Sequence, residues 1–148
     1  MNVAQFRARH SKSTMKYICL GYFDSNAFAS TPETEQQAMM DSFFAYDDQL
    51  RANGHFKGGE ALQPPNTAMT LRYTNGRVVT TDGPFAETRE QLGGILILEA
   101  RDLNHAVELI SKHPSTKFGP WEIRPAADLN EMMRQSEARR RQAGKPQG

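Results

Sequence analysis

The pair Asn75-Gly76 is the strongest local constraint on how this chain can fold. Both central residues of a type I′ turn need positive φ, and Asn followed by Gly supplies it at least cost. The runs on either side, Ala68–Thr74 (AMTLRYT) and Arg77–Thr81, therefore read as the two strands of one hairpin. The remaining elements have to be arranged around it.

Upstream, Lys16–Asp24 alternates Ile18, Leu20 and Tyr22 with Tyr17, Cys19, Gly21 and Phe23. That is a strand with two rather apolar faces, so both are expected to be covered. Ser25–Ser30 reads as a loop. Thr31-Pro32-Glu33 then starts a helix, with Thr as cap, Pro at the first position and an acid in the first turn. Its apolar stripe is Met39, Met40, Phe43, Phe44, Tyr46 and Leu50, read as core. Asp47, Asp48 and Arg51 are read as solvated, and Gly54 ends the helix by taking the left-handed conformation. His55, just past that end, is read as a capping or surface residue.

Lys57–Leu62 is a short strand, cut off by Pro64-Pro65, which cannot donate to a sheet ladder. Downstream of the hairpin, Gly93–Ala100 (GGILILEA) is the most hydrophobic strand and is placed centrally. Asp102 caps a second helix with Leu103, Ala106, Val107 and Ile110 on one face and His105 on the outer one. His113 continues the Ala106–Ile110 stripe, and Pro114 stops the helix. Pro120–Arg124 is the last core strand, and Leu129 to about Gln142 a polar helix. Trp121 is read as core or interface.

The order is β-α-β-β-β-loop-β-α-β, an α+β chain of the ferredoxin-like, split βαβ type with an antiparallel sheet. Such a sheet carries helices on one face only. The two-sided apolar strands call for a cover on the other, and a second copy, sheet against sheet, is the economical one.

With 148 residues the chain reads as one domain, long enough to bury a core without disulfides or metals. Its single cysteine, Cys19, cannot form an intrachain disulfide, as expected of a cytoplasmic protein, and is read as a small core residue. No apolar run reaches the roughly 20 residues needed to span a bilayer. Residues 1–14 read as a disordered extension and 128–148 as a basic helix and tail, with the domain between. The basic groups sit at the two ends and the body is mildly acidic. A nucleic-acid binder would carry its positive charge on the folded body, so nucleic acid is not an expected partner. No Cys/His spacing suits a metal and no glycine-rich loop suits a phosphate, so neither metal nor organic cofactor is expected.

The densest chemistry lies in Thr80–Gly94 (TTDGPFAETREQLGG). Pro84 fixes its own φ and restricts Gly83, which puts Asp82 on a stiff mount. Asp82 and Glu87 are the candidate general acid and base, provided one is desolvated. Arg89 suits an anionic substrate group. Gly83 and Pro84 shape the turn beside a ligand, and Gly93 and Gly94 let a ligand or backbone approach closely. The same residues admit a structural reading. Asp82 can bond its own turn, Glu87 and Arg89 can pair within or across subunits, and the two glycines can relieve a bulge.

Gly59–Pro65 (GEALQPP) and Asp82–Gly94 (DGPFAETREQLGG) resemble the YCII-related superfamily, in particular the branch called DGPF-domain proteins. Met15-Lys16-Tyr17 and Trp121-Glu122-Ile123-Arg124-Pro125 stand where that family's first and last strands would, so the resemblance spans about residues 15–127. It implies a dimeric α+β barrel. It does not imply one activity, since most members are uncharacterised and many resemble proteins encoded beside or fused to extracytoplasmic-function sigma factors. One dehydrochlorinase in the wider superfamily is thought to use a His–Asp pair. This chain departs from that pattern, with Phe43 at the helix position of the histidine and His113-Pro114 where the relatives have Asp-Pro.

Two functions follow as expectations. The first is a homodimer binding a small molecule in a cleft bordered by the Asp82–Phe85 loop, with metal-free proton transfer by Asp82 or Glu87. The second is a non-catalytic regulatory protein whose partner is a sigma factor.

Overall fold

A computed structural model describes residues 13–146; residues 1–12 of the expected N-terminal extension lie outside that range. Four strands form one antiparallel sheet: β1 (Met15–Phe23), β2 (Phe56–Ala61), β5 (Gln91–Ala100) and β6 (Trp121–Pro125), in the spatial order β2-β5-β1-β6. That order is the split βαβ plan, because each crossover passes over one intervening strand. The first crossover carries helices α1 (Ser25–Ala29) and α2 (Glu33–Ala52), and the second carries α3 (Leu103–Ser111). The hairpin of β3 (Met69–Thr74) and β4 (Arg77–Asp82) forms a separate two-stranded sheet, turning at Asn75 and Gly76, both with positive φ. A last helix, α4, covers Leu129–Ala143.

The core lies on the helix side of the sheet. Tyr17 and Cys19 of β1 and Leu96, Leu98 and Ala100 of β5 are buried against Leu50 of α2 and Ala106 and Ile110 of α3. Alternation places Ile18, Leu20, Ile95 and Ile97 on the opposite face, where they are only half-buried. Burial pushes the Cys19 thiol up to about 12, which agrees with its reading as an inert core residue.

Two local differences from the sequence reading have simple causes. Ser25–Ala29 is a short helix, not a loop, because the Asp24 carboxylate accepts from the Asn26 and Ala27 N–H groups and caps it. Helix α2 starts at Glu33 with Pro32 as its cap residue, so the Thr31 hydroxyl turns back to the Ala27 carbonyl instead of capping α2. Gly54, at φ +81°, ends α2 as expected.

Candidate functional site

On α2, residues 40, 43, 47 and 50 recur at helical spacing and face the sheet, with Leu50 at the bottom of the stripe. The stripe is apolar except for Asp47. At the far end of α3, His113 extends the inward face of Ala106 and Ile110 and is 4 % exposed. The two elements meet there, and His113 Nε2 lies 3.0 Å from Asp47 Oδ1.

The other ring nitrogen settles the tautomer. The Ser115 backbone N–H, which only donates, reaches His113 Nδ1 at 3.2 Å as the cap of the Pro114–Lys117 3₁₀ turn. Nδ1 is therefore an acceptor, and in the neutral ring Nε2 carries the proton and donates it to Asp47. Ser115 Oγ stands 2.6 Å from the same Nδ1 and accepts from the Trp121 indole N–H at 2.8 Å. The result is a directed chain, Trp121 to Ser115 to His113 to Asp47. Phe43, Tyr46 and Trp121 surround the imidazole with ring centroids 5.3–5.8 Å away, so little water reaches it.

These groups open onto a cavity of about 650 Å³ between α2 and the edge of the sheet. Its walls are mainly apolar, with Phe23, Phe28, Met40, Phe43, Phe56 and Phe118 among them. The methionine and phenylalanine stripe read as core is in large part cavity wall. Phe44 is 57 % exposed, and Leu50 is the one α2 residue that is fully buried. Asp47, read as solvated, points inward.

The candidates of the Thr80–Gly94 stretch are distributed differently. Gly93 and Gly94 line the cavity. They also stand where β1 and β5 slip register, Gly21 facing Gly94 and Tyr22 facing Leu92. A Cβ on Gly93 would come within 2.2–2.3 Å of the Phe23 ring, so its bare backbone is required by packing as well. Gly83 has φ +104°, a conformation a side chain resists, and donates its N–H to Ala68.

Pro84 lines a second, more open hollow of about 720 Å³ with Phe85, Ala86 and the Gln63–Pro65 segment. This hollow shares Tyr22 and Leu62 with the first. Asp82 and Glu87 are exposed and line neither space. Arg89 pairs with Asp24 at 3.2 Å, not with Glu87. The Asp24 carboxyl is held below the usual range, first by the Ala27 N–H and then by Arg89. Gln91 closes the loop on itself through the carbonyls of Ala86 and Thr88, and Arg72 and Thr70 tie it to β3 through Phe85 and Gly83.

His55 and His105 stack edge to face at 5.1 Å. Burial, Arg101 and His55 lower the His105 pKa. Among the described residues no three His, Cys, Asp or Glu side chains converge as a metal would need, and no helix is long and apolar enough to cross a membrane.

A ferredoxin-like α+β fold with a small cleft at one end of its sheet defines the class of protein, and comparison with known families names it. The YCII-related domain matches residues 15–130, and the chain belongs to that family. Among curated proteins it is similar to uncharacterized protein R00369 of Rhizobium meliloti (strain 1021), 32 % identical over 117 residues, covering 76 % of this chain and 93 % of the relative.

Proposed function

We propose that this protein binds a small, largely apolar molecule in the cavity between α2 and the sheet, and that His113 and Asp47 move a proton on it without metal or organic cofactor. The observation that carries this reading is the placement of an ionisable pair inside a wall of aromatic rings. A pocket with apolar walls and a few convergent polar groups is the usual form of a small-molecule site. His113 is held in one tautomer, and Asp47, bonded to it through Oδ1, lines the cavity. That division suits general acid–base work, the carboxylate receiving a proton while the imidazole steadies the charge. Here the acid–base role moves from Asp82 and Glu87 to a pair whose members face each other. The loop after β4 remains the rim of the neighbouring hollow, where Pro84 and Phe85 would meet a ligand too long for the first cavity.

The working unit in this reading is a homodimer. The hairpin carries Met69, Leu71, Tyr73 and Val78 on one face, all 60–76 % exposed, with Asp82 at the end of that face opposite Met69. An isolated two-stranded sheet is marginal in water, and the half-buried Ile18, Leu20, Ile95 and Ile97 also want cover. A second copy satisfies both, and would bring Asp82 to the subunit interface.

The test is a thermal-shift screen of metabolites on wild type and on Asp47→Asn. A ligand that binds only the native state must raise the melting temperature. Ring-bearing apolar compounds are expected to do so. A hit list confined to highly charged compounds, or hits unaffected by filling the cavity with Met40→Trp, would contradict the reading.

A second reading, a partner-binding regulator, draws on α4. Leu129, Met132 and Met133 form an exposed apolar stripe, 56–63 % exposed, on a helix that also carries Arg134, Arg139, Arg140 and Arg141. A sigma factor is the partner to try, and recovery of one by the full chain but not by a chain ending at residue 127 would favour this reading.

A further inference from the structure

We infer that Ser115 is a nucleophile, and that the cavity takes esters of apolar, ring-bearing acids or alcohols. The inference rests on the cavity being the ligand site and adds a covalent step to it. A nucleophile is recognised by a hydroxyl within hydrogen-bond reach of a base that a third group orients. Ser115 Oγ lies 2.6 Å from His113 Nδ1, and His113 Nε2 lies 3.0 Å from Asp47 Oδ1. The ring nitrogens are used in the opposite sense from the familiar hydrolase triad, but the roles are the same. The nitrogen facing the hydroxyl is the lone-pair nitrogen, which the hydroxyl at 2.6 Å shares with the weaker Ser115 N–H contact at 3.2 Å, and the far one gives its proton to a carboxylate. The Trp121 N–H bonded to Ser115 Oγ holds the hydroxyl in register and would support negative charge as its proton leaves. Ser115 lines the apolar cavity, so an acyl group seated there lies beside it.

The step balances without any oxidant or metal. Ser115 Oγ forms a bond to the acyl carbon as its proton passes to His113 Nδ1, and Asp47 stabilises the resulting imidazolium. The tetrahedral adduct collapses, the carbon–oxygen bond to the alcohol breaks, and His113 returns its proton to the departing oxygen. A water then gives its proton to the same nitrogen and bonds the acyl carbon, the carbon–Oγ bond breaks, His113 returns the proton to Ser115 Oγ, and the acid leaves.

The experiment uses phenylmethanesulfonyl fluoride and its unreactive counterpart, phenylmethanesulfonamide. With the fluoride, Ser115 Oγ would form the sulfur–oxygen bond, fluoride would leave, and the proton would pass through His113 to solvent. Intact mass is expected to show one phenylmethanesulfonyl group per chain, peptide mapping to place it on Ser115, and the rate to fall at least tenfold in His113→Ala. Hydrolysis of 4-nitrophenyl butyrate is expected to be lost in Ser115→Ala. No adduct on the wild-type chain, or an adduct on another residue, overturns the inference, and neither result depends on a variant folding. The sulfonamide reports on the cavity separately through Trp121, the chain's single tryptophan. If it changes Trp121 fluorescence while the fluoride leaves Ser115 unmodified, the nucleophile is refuted and the binding site stands. If it changes nothing and the fluoride does not react, both fall.

Discussion

At the scale of single residues, the site turns on two inward positions that the sequence marks unequally. His113 was legible as the continuation of the Ala106–Ile110 stripe. Asp47 was not, because it stands beside Asp48 and Arg51, which are solvated and pair with each other at 2.7 Å. The available signal was the 40-43-47-50 spacing, which puts a lone carboxylate into an apolar stripe and asks what it bonds to. The acidic loop stands out by composition, but composition carries no information on burial, and Asp82 and Glu87 are exposed. Asp47→Asn keeps an oxygen to accept the His113 proton, so the cost in stability is expected to be about 1 kcal/mol or less. Proton-transfer activity is expected to fall about 10²–10⁴-fold. Melting curves set beside turnover of a substrate found by screening check both.

Cys19 gives a prediction of the opposite kind. Its thiol is held neutral up to about 12 when folded, while in the unfolded chain it ionises near its ordinary value of about 8.5. A folded value raised above the unfolded one gives stability that is intact below the lower value and lost as pH climbs towards the upper. This thiol should therefore cost roughly 1.4 kcal/mol per pH unit above about 9. Urea titrations between pH 8 and 11 should show that slope in wild type and lose it in Cys19→Ala, and a thiol reagent at pH 8 should react only after denaturant is added.

At the scale of elements, the strands and helices were nearly all legible, because Asn75-Gly76, the prolines and the capping residues mark their ends. The exception, α1, is capped by an Asp24 that also receives Arg89 from a loop 65 residues away. Only the fold brings those two segments together. Packing at that same corner is tight at Gly119, where a Cβ would fall 1.8 Å from the Tyr22 carbonyl oxygen. The neighbour is backbone and cannot rotate away, so Gly119→Ala is expected to cost at least about 2 kcal/mol, measured by chemical denaturation. Gly54→Ala meets no neighbour within 4 Å, and its cost comes from φ +81° alone. It should be the milder of the two.

At the scale of the whole molecule, the hairpin and the half-buried sheet face decide whether a single chain is complete. The fold class was legible from element order. Which surfaces meet was not, because the same alternation describes a face that touches solvent and one that touches a partner. Leu71→Glu with Tyr73→Glu separates the cases. On a free surface the pair should change stability by less than about 0.5 kcal/mol per substitution. In the proposed dimer it should convert the protein to monomer by light scattering at micromolar concentration.

Nitrogen-15 NMR of the histidine rings reads the placement of the imidazole itself. The chain has four histidines, whose ring signals are assigned by substituting each in turn. The His113 signals are predicted to show the Nε2–H tautomer, and to move when a thermal-shift hit is added. An Nδ1–H ring, or hits that raise the melting temperature while the His113 signals stay still, would contradict it.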